Sequence, residues 1–414
     1  MFGLLGGVLR FLFPFQILNL GGSEPLISLG STFSSLGQIV GLLVLTRIVH
    51  SRRNTLLTAG SLLGVFAFIA AITSDSALLA VSRIVDGAGS GLFAILVIRV
   101  SSDLKSSRGE SIGTLLAALF LGSAIGQGLA GASVNAIALI TALDQTHTIR
   151  VIAAALFLLS LAVLGTIGAQ SSMSGRDGLI SSRAHGHVHP SIITHTLSSR
   201  PVLILACVYI VYDFSHGIYT PGLSILIENN GVPIDQIAYG YLLGDLVWGA
   251  TQVYAGRLVD RSGHYSPLFV SLIIKGATVT LYPSASSFIV LTSVLALAGM
   301  SEGFIEPSRN DAAIDFTPAV ELVHEHQHYY VTRTTGSSFG IARHKHEHTH
   351  AAGSDEVVSF LQTLGMAGFA VGSLVGAWLL GQGLTLSTLV FIGGAFLIGT
   401  GLLSLGLRKR AVVS

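Results

Sequence analysis

Apolar residues in this chain come in long runs rather than in alternation. The runs are broken by short polar clusters rich in Gly, Pro, Ser and charge. Alternation would predict half-buried strands. Unbroken runs of about 20 apolar residues predict helices that cross a bilayer. Twelve such runs can be marked, at 6–29, 34–49, 54–74, 78–100, 112–133, 150–170, 201–223, 236–255, 266–284, 287–306, 356–380 and 384–406. The first reads as a retained span, because it lacks the basic start and small-residue cleavage site of a secretory leader.

Composition supports the same reading. Half of the 414 residues are hydrophobic and only 10% are charged, too few to keep so apolar a surface dissolved in water. The net charge of +1 gives no global field for nucleic acid, so the partners expected are a lipid bilayer and a small-molecule substrate. The single Cys207 allows no internal disulfide and no cysteine-only metal site. No G-x-x-x-x-G-K-[ST] segment occurs, so energy for transport is expected from a gradient rather than from ATP. No nucleophile and base stand at a meaningful spacing, and an enzyme is not expected. Thr146, His147 and Thr148 read as solvated residues of a loop.

Basic residues collect on alternate loops: Arg52 and Arg53; Lys105 and Arg108; Arg176, Arg183 and Arg200; Arg257 and Arg261; Arg333, Arg343 and Lys345; then the tail Arg408-Lys409-Arg410. The opposite loops hold only Arg150. Basic loops stay cytoplasmic, so both termini are expected inside a multi-pass protein of the cell membrane.

The two halves repeat one another. Gly87, Gly89 and Gly91 precede Asp103 as Gly299 and Gly303 precede Asp315, the aspartate coming twelve residues after the last glycine in each half. Gly122, Gly126 and Gly131 answer to Gly368, Gly372 and Gly376. Glycines four apart share a helix face and let backbones approach closely. The division expected is a six-helix bundle over residues 1–170, a cytoplasmic linker over 171–200 and a second six-helix bundle over 201–414. The fold class is an all-α membrane protein of twelve helices in two pseudo-symmetric bundles.

The turn Gly256-Arg257-Leu258-Val259-Asp260-Arg261-Ser262-Gly263, followed by Leu268, has the form G-x-L-x-D-R-x-G-x-x-x-x-L. It resembles the loop signature of the major facilitator superfamily. Arg83-Ile-Val-Asp86-Gly87-Ala-Gly89 is similar to that family's R-x-x-Q-G-x-G, with Asp86 in place of Gln. The span carrying Gly113, Gly122 and Gly126 resembles the family's antiporters, with Gln127 where a proline is expected. The first-half counterpart, Thr46 to Arg53, keeps basic residues but lacks the aspartate and glycines. The resemblance implies alternating access. It makes Gly256, Asp260, Arg261 and Gly263, with Arg83, Asp86 and Gly87, a conformational gate, and gives Arg83 a part in proton transfer.

Charges inside spans are costly and mark partners or aqueous paths. Asp213 and His216 share a face of span seven, Asp245 lies in span eight and Lys275 in span nine. Glu302 and Glu306 share a face of span ten, with Arg309 a turn further on. These seven, with Glu24 assigned to span one, are the candidate proton-coupling and substrate-path residues. Lys275 and Arg309 are the expected counter-charges.

Comparison of the halves also exposes an insertion at about 318–354. It contains His324, His326, His328, His344, His346, His348 and His350, and the linker adds His185, His187 and His189. Imidazole suits zinc, nickel or cobalt, and Glu325 and Glu347 are candidate further ligands. The reading is a proton-coupled secondary transporter that needs no cofactor, is monomeric, and carries an unidentified small molecule. Two alternatives stand beside it: a transporter of a divalent metal or its chelate regulated by the histidine loops, and a non-transporting metal sensor on the same fold.

Overall fold

The computed structural model describes residues 2–45, 48–49, 52–102, 108–141, 143–173, 199–316, 321–333, 339–351 and 354–407. The first half comprises α1 (Phe2–Asn19), α2 (Glu24–Val40, prolonged by a π-helical turn Gly41–Leu45), α3 (Arg52–Ile72), α4 (Ser76–Ser102), α5 (Arg108–Thr141) and α6 (Gln145–Met173). The second comprises α7 (Arg200–Tyr219), its short continuation α8 (Leu223–Asn229), α9 (Ile234–Ser262), α10 (Tyr265–Val279), α11 (Phe288–Asp315), α12 (Ser354–Gly381) and α13 (Leu386–Ser404). Ten of the described segments are long and apolar enough to cross a membrane. With the shorter apolar α1 and the more polar α9 they give the twelve expected crossings.

Sequence and structure differ in three places. The first apolar run, drawn over 6–29, is cut by a turn at Gly21, whose φ of +76° suits glycine, so Glu24 opens α2 instead of lying inside the first span. Gly231, with φ of +89°, makes the matching turn between α8 and α9. Thr146, His147 and Thr148 are not loop residues. They form the first turn of α6, and Thr148 is fully buried. Asp144 Oδ1 accepts from the His147 backbone N–H at 2.8 Å, which caps that turn and holds the Asp144 carboxyl below the usual carboxylate range. Finally, the insertion adds strands to the all-α expectation: Glu321–Arg333 (β1) pairs antiparallel with Phe339–Ala351 (β2).

Packing follows the repeat. In the first half α1 packs on α5, α2 on α4, and α3 on α4 and α6. In the second, α7 packs on α12, α9 on α11, and α10 on α11 and α13. Glycine makes the tightest of these possible. A Cβ at Gly126 would overlap the Leu4 carbonyl of α1, and one at Gly372 would overlap the Phe214 carbonyl of α7. Between the halves, α5 packs on α9 and α2 on α12. These contacts include Gly131 against Ala238, Gly128 against Leu242, and Thr32 Oγ1 donating to the Ala370 carbonyl at 3.4 Å. They run from the face bearing the Gly21 and Gly231 turns toward mid-depth. The β1–β2 hairpin, which joins the end of α11 to the start of α12, belongs to the other face.

Candidate functional site

The densest polar chemistry inside the helices lies in the second half, where α7, α9, α10 and α11 meet. α11 carries Glu302, Glu306 and Arg309 along one side of the helix, and α7 carries Tyr209, Tyr212, Asp213 and His216 along another. Helical spacing of three and four residues stacks each set, so two polar stripes can face each other.

Two ion pairs anchor the cluster. Lys275 Nζ lies 3.0 Å from Glu302 Oε2, and Arg309 Nη1 lies 3.3 Å from Asp213 Oδ2. Arg309 Nη2 also approaches Glu306 at 3.9 Å, so one guanidinium serves two carboxylates. All four members of the two pairs are less than a tenth exposed. The Tyr212 hydroxyl donates to Glu302 Oε1, and the Tyr209 hydroxyl donates to Asn310 Oδ1 at 2.8 Å. The Arg309 guanidinium lies over both tyrosine rings, 4.2 Å from the Tyr209 centroid and 4.8 Å from the Tyr212 centroid. Such stacking holds a weakly hydrated cation in an apolar site.

The other candidates sit at the edge of this cluster. Gln252 Nε2 donates to Glu306 Oε2 at 3.0 Å. The His216 ring packs between Tyr212 and Tyr219, and its Nε2 is buried with no hydrogen-bond partner among the described residues. Asp245 has a different kind of partner. Gln127 Nε2 of α5 donates to its Oδ2 at 3.0 Å, and this bond joins the two halves of the molecule. Among the described residues Asp245 makes no ion pair. Thus six of the eight path candidates fall into one interlinked region through Asp213, His216, Lys275, Glu302, Glu306 and Arg309. Asp245 marks its boundary with the first half. Glu24 stands apart, half-buried in the first turn of α2.

The first half has a smaller cluster. Arg83 Nη1 donates to Asp86 Oδ2 at 2.6 Å, and both are buried. Arg10 Nη2 lies 3.4 Å from Asp86 Oδ1 and also donates to Ser90 Oγ, while Ser34 Oγ donates to Asp86 at 3.5 Å. The Arg83 guanidinium packs over Phe13 and Phe66. A Cβ at Gly87 would overlap the Ser34 carbonyl, so this glycine sets the α2–α4 approach. The described partners of Arg83 and Asp86 all belong to the first half, tying α1, α2 and α4 together.

The loop signature ends α9. Gly256 is buried within the helix, Arg261 is exposed, and Gly263 terminates the helix at φ +78°. The Asp260 side chain lies outside the described residues, as do His185, His187 and His189. His264 Nδ1, just beyond the turn, lies 3.1 Å from Asp311 Oδ2 of α11, a link that sequence spacing does not reveal.

Tyr209, Tyr212, Gln252 and Asn310 carry no charge and so do not stand out in the sequence. The tyrosines were visible as part of a stripe, Tyr209, Tyr212, His216 and Tyr219, at spacings of three and four on one helix. In the sequence Gln127 is only a departure from a motif.

The sequence profile of the Major Facilitator Superfamily matches residues 1–342. By structure the chain is similar to the crystal structure of the nucleoside transporter NupG, solved as an aspartate-to-alanine mutant. The TM-score is 0.67 and the identity 12%, over 99% of this chain and 97% of that one, which is a likeness of fold. No curated protein matches the chain by sequence.

Proposed function

The chain belongs to the major facilitator superfamily, and from that premise we propose that it is a proton-coupled carrier whose coupling site is the acid-rich cluster of its second half. Members of this family are multi-pass membrane proteins and secondary transporters, not enzymes, so this chain meets lipid and a small-molecule substrate. The observation that carries the proposal is a charge imbalance. Asp213, Asp245, Glu302 and Glu306 stand against two cations, Lys275 and Arg309. Full ionisation would leave surplus negative charge in a poorly hydrated site, and proton binding removes it. Asp213 and Glu302 each have a cation in ion-pair contact, whereas the hydrogen-bond partner of Asp245 among the described residues is the neutral Gln127 amide. Asp245 is therefore the acid assigned the coupling proton.

Alternating access supplies the mechanism. The contacts of α5 with α9 and of α2 with α12 close the halves together on the face of the Gly21 and Gly231 turns. We assign this arrangement to a state that loads or releases on the hairpin face. The basic loops on that face support a cytoplasmic location for it, and so for both termini in the cell membrane. Rocking must break the Gln127–Asp245 bond, because its ends belong to different bundles. Gain or loss of a proton at Asp245 would then change the strength of a contact between the moving parts.

The test begins with a thermal-shift screen of nucleosides, sugars, organic anions and divalent metals on the purified protein, to find a ligand. Proteoliposomes are then assayed with that ligand in two modes. A pH gradient should drive accumulation by the native protein. Asp245→Asn should abolish accumulation while retaining ligand exchange at zero gradient. Equal gradient-driven accumulation by Asp245→Asn would refute the assignment. The absence of any exchange by the native protein would favour a sensor over a carrier.

A further inference from the structure

The histidines of the insertion are separated in sequence but not in the fold. The β1–β2 register pairs His324 with His348, His326 with His346, and His328 with His344. Residues directly opposite in an antiparallel pair lie on the same sheet face, and alternate residues along a strand share a face. The six histidines therefore form three successive cross-strand rungs on one face of the hairpin. His350, opposite Leu322, extends the same face. Glu325 pairs with Glu347 on the other face, where Gln327 also pairs with Lys345. The two glutamates, candidate further ligands in the sequence, thus occupy register positions of the opposite face.

From this juxtaposition of three His–His rungs on one hairpin face, we infer that the β1–β2 hairpin is a binding site for a divalent transition-metal ion of the zinc, nickel or cobalt class, built from both strands. Two adjacent rungs put four histidine positions at the corners of a rectangle of about 5 by 7 Å. That is compact enough for several imidazoles to share one ion, whose bonds to nitrogen are about 2 Å long. Neutral imidazole is a suitable ligand for these ions, and the face offers no competing thiolate. An isolated two-stranded hairpin is marginal in water, and coordination across the strands links them as a hydrophobic core otherwise would. The site stands between α11, which carries Glu302, Glu306 and Arg309, and α12, which packs on both α7 and α2. It is a place to sense an ion and bias helix motion, and the inference is independent of what the carrier transports.

The geometry makes a prediction that a pair of independent His-x-His tags does not. ZnCl2 is titrated calorimetrically into chelator-treated, full-length protein in lipid nanodiscs, with visible absorption of bound Co2+ as a second readout. Replacing His324, His326 and His328 by Asn should weaken binding at least about tenfold. Replacing His344, His346 and His348 by Asn should have the same effect, and replacing all six should add little. Replacement of His185, His187 and His189 should leave this binding unchanged. Loss of half the bound metal with unchanged affinity in each three-histidine variant would overturn the shared site. So would binding that survives all six replacements, or none in the native protein. A cysteine test reads the register without metal. In a Cys207→Ser background, His326→Cys with His346→Cys should oxidise to a disulfide, whereas His324→Cys with His344→Cys should not. Oxidation of the second pair alone would overturn the rungs themselves.

Discussion

Arg309 is the residue on which most of the second-half cluster depends. It pairs with Asp213, approaches Glu306 and stacks on Tyr209 and Tyr212, all within a region shielded from water. Removing one member of a buried pair leaves the others uncompensated, which costs about 3–5 kcal/mol. Arg309→Ala should therefore lower the melting temperature of the purified protein sharply. The double variant Arg309→Ala with Asp213→Asn should recover part of the loss, because the stranded charge is removed too. A single variant as stable as the native protein would show that the pair is dispensable. Tyr212→Phe should be milder. It removes one donor to Glu302 but keeps the ring beneath the guanidinium, and a loss of about 1–2 kcal/mol is expected by the same thermal assay. The acids and cations of this cluster were readable in the sequence, because charge in an apolar run stands out. Their pairing was not, since Lys275 and Glu302, or Asp213 and Arg309, are brought together only by packing of different helices. Gln127 shows the limit most clearly. As a sequence feature it is a substitution in a motif, and as a structural one it is the partner of Asp245 across the bundles.

At the scale of elements, the glycine pattern of the sequence has a physical result that can be measured. Gly372 meets the Phe214 carbonyl, whereas a Cβ at Gly399 would meet nothing within 4 Å. Alanine is intrinsically better than glycine in a helix by up to about 1 kcal/mol. Gly399→Ala should thus be neutral or slightly stabilising. Gly372→Ala must push α12 from α7 and should destabilise by about 1–3 kcal/mol, read as a lower melting temperature in the same detergent. Comparable stability in the two variants would contradict the close α7–α12 contact. Element identity was easy to read where runs were long and apolar. The boundary at 6–29 differs from the structure because the apolar run of a short first helix continues past a glycine turn. Hydropathy has no means of detecting a change of direction inside an oily segment. The β1–β2 hairpin escapes a hydropathy reading for the opposite reason. Its polar, histidine-rich composition carries a weak strand signal, and pairing between segments is a non-local property.

For the whole molecule, the important fact is where the halves touch. An ideal Cβ at Gly128 of α5 would lie 3.5 Å from the Leu242 Cβ of α9, within the range spanned by disulfides. Gly128→Cys with Leu242→Cys, in a Cys207→Ser background, should form a bridge on mild oxidation. It should halt ligand exchange in proteoliposomes, with activity returning after reduction. Full exchange by the oxidised protein would mean that α5 and α9 do not separate in the cycle. Rocking bundles require such separation, and a rigid pore or a sensor does not.

The sequence by itself determined the solvent, the number of crossings, the twofold repeat and the family resemblance. Each follows from local composition and spacing, which survive without knowledge of distant contacts. It also exposed the buried charges, because desolvation makes any charge in an apolar run conspicuous. Only the tertiary structure decided which charges neutralise which, that Gln127 of one half holds Asp245 of the other, and that two histidine clusters line up rung by rung. Those are relations between segments far apart in the chain. They are set by helix packing and strand register, and neither is written at any single position.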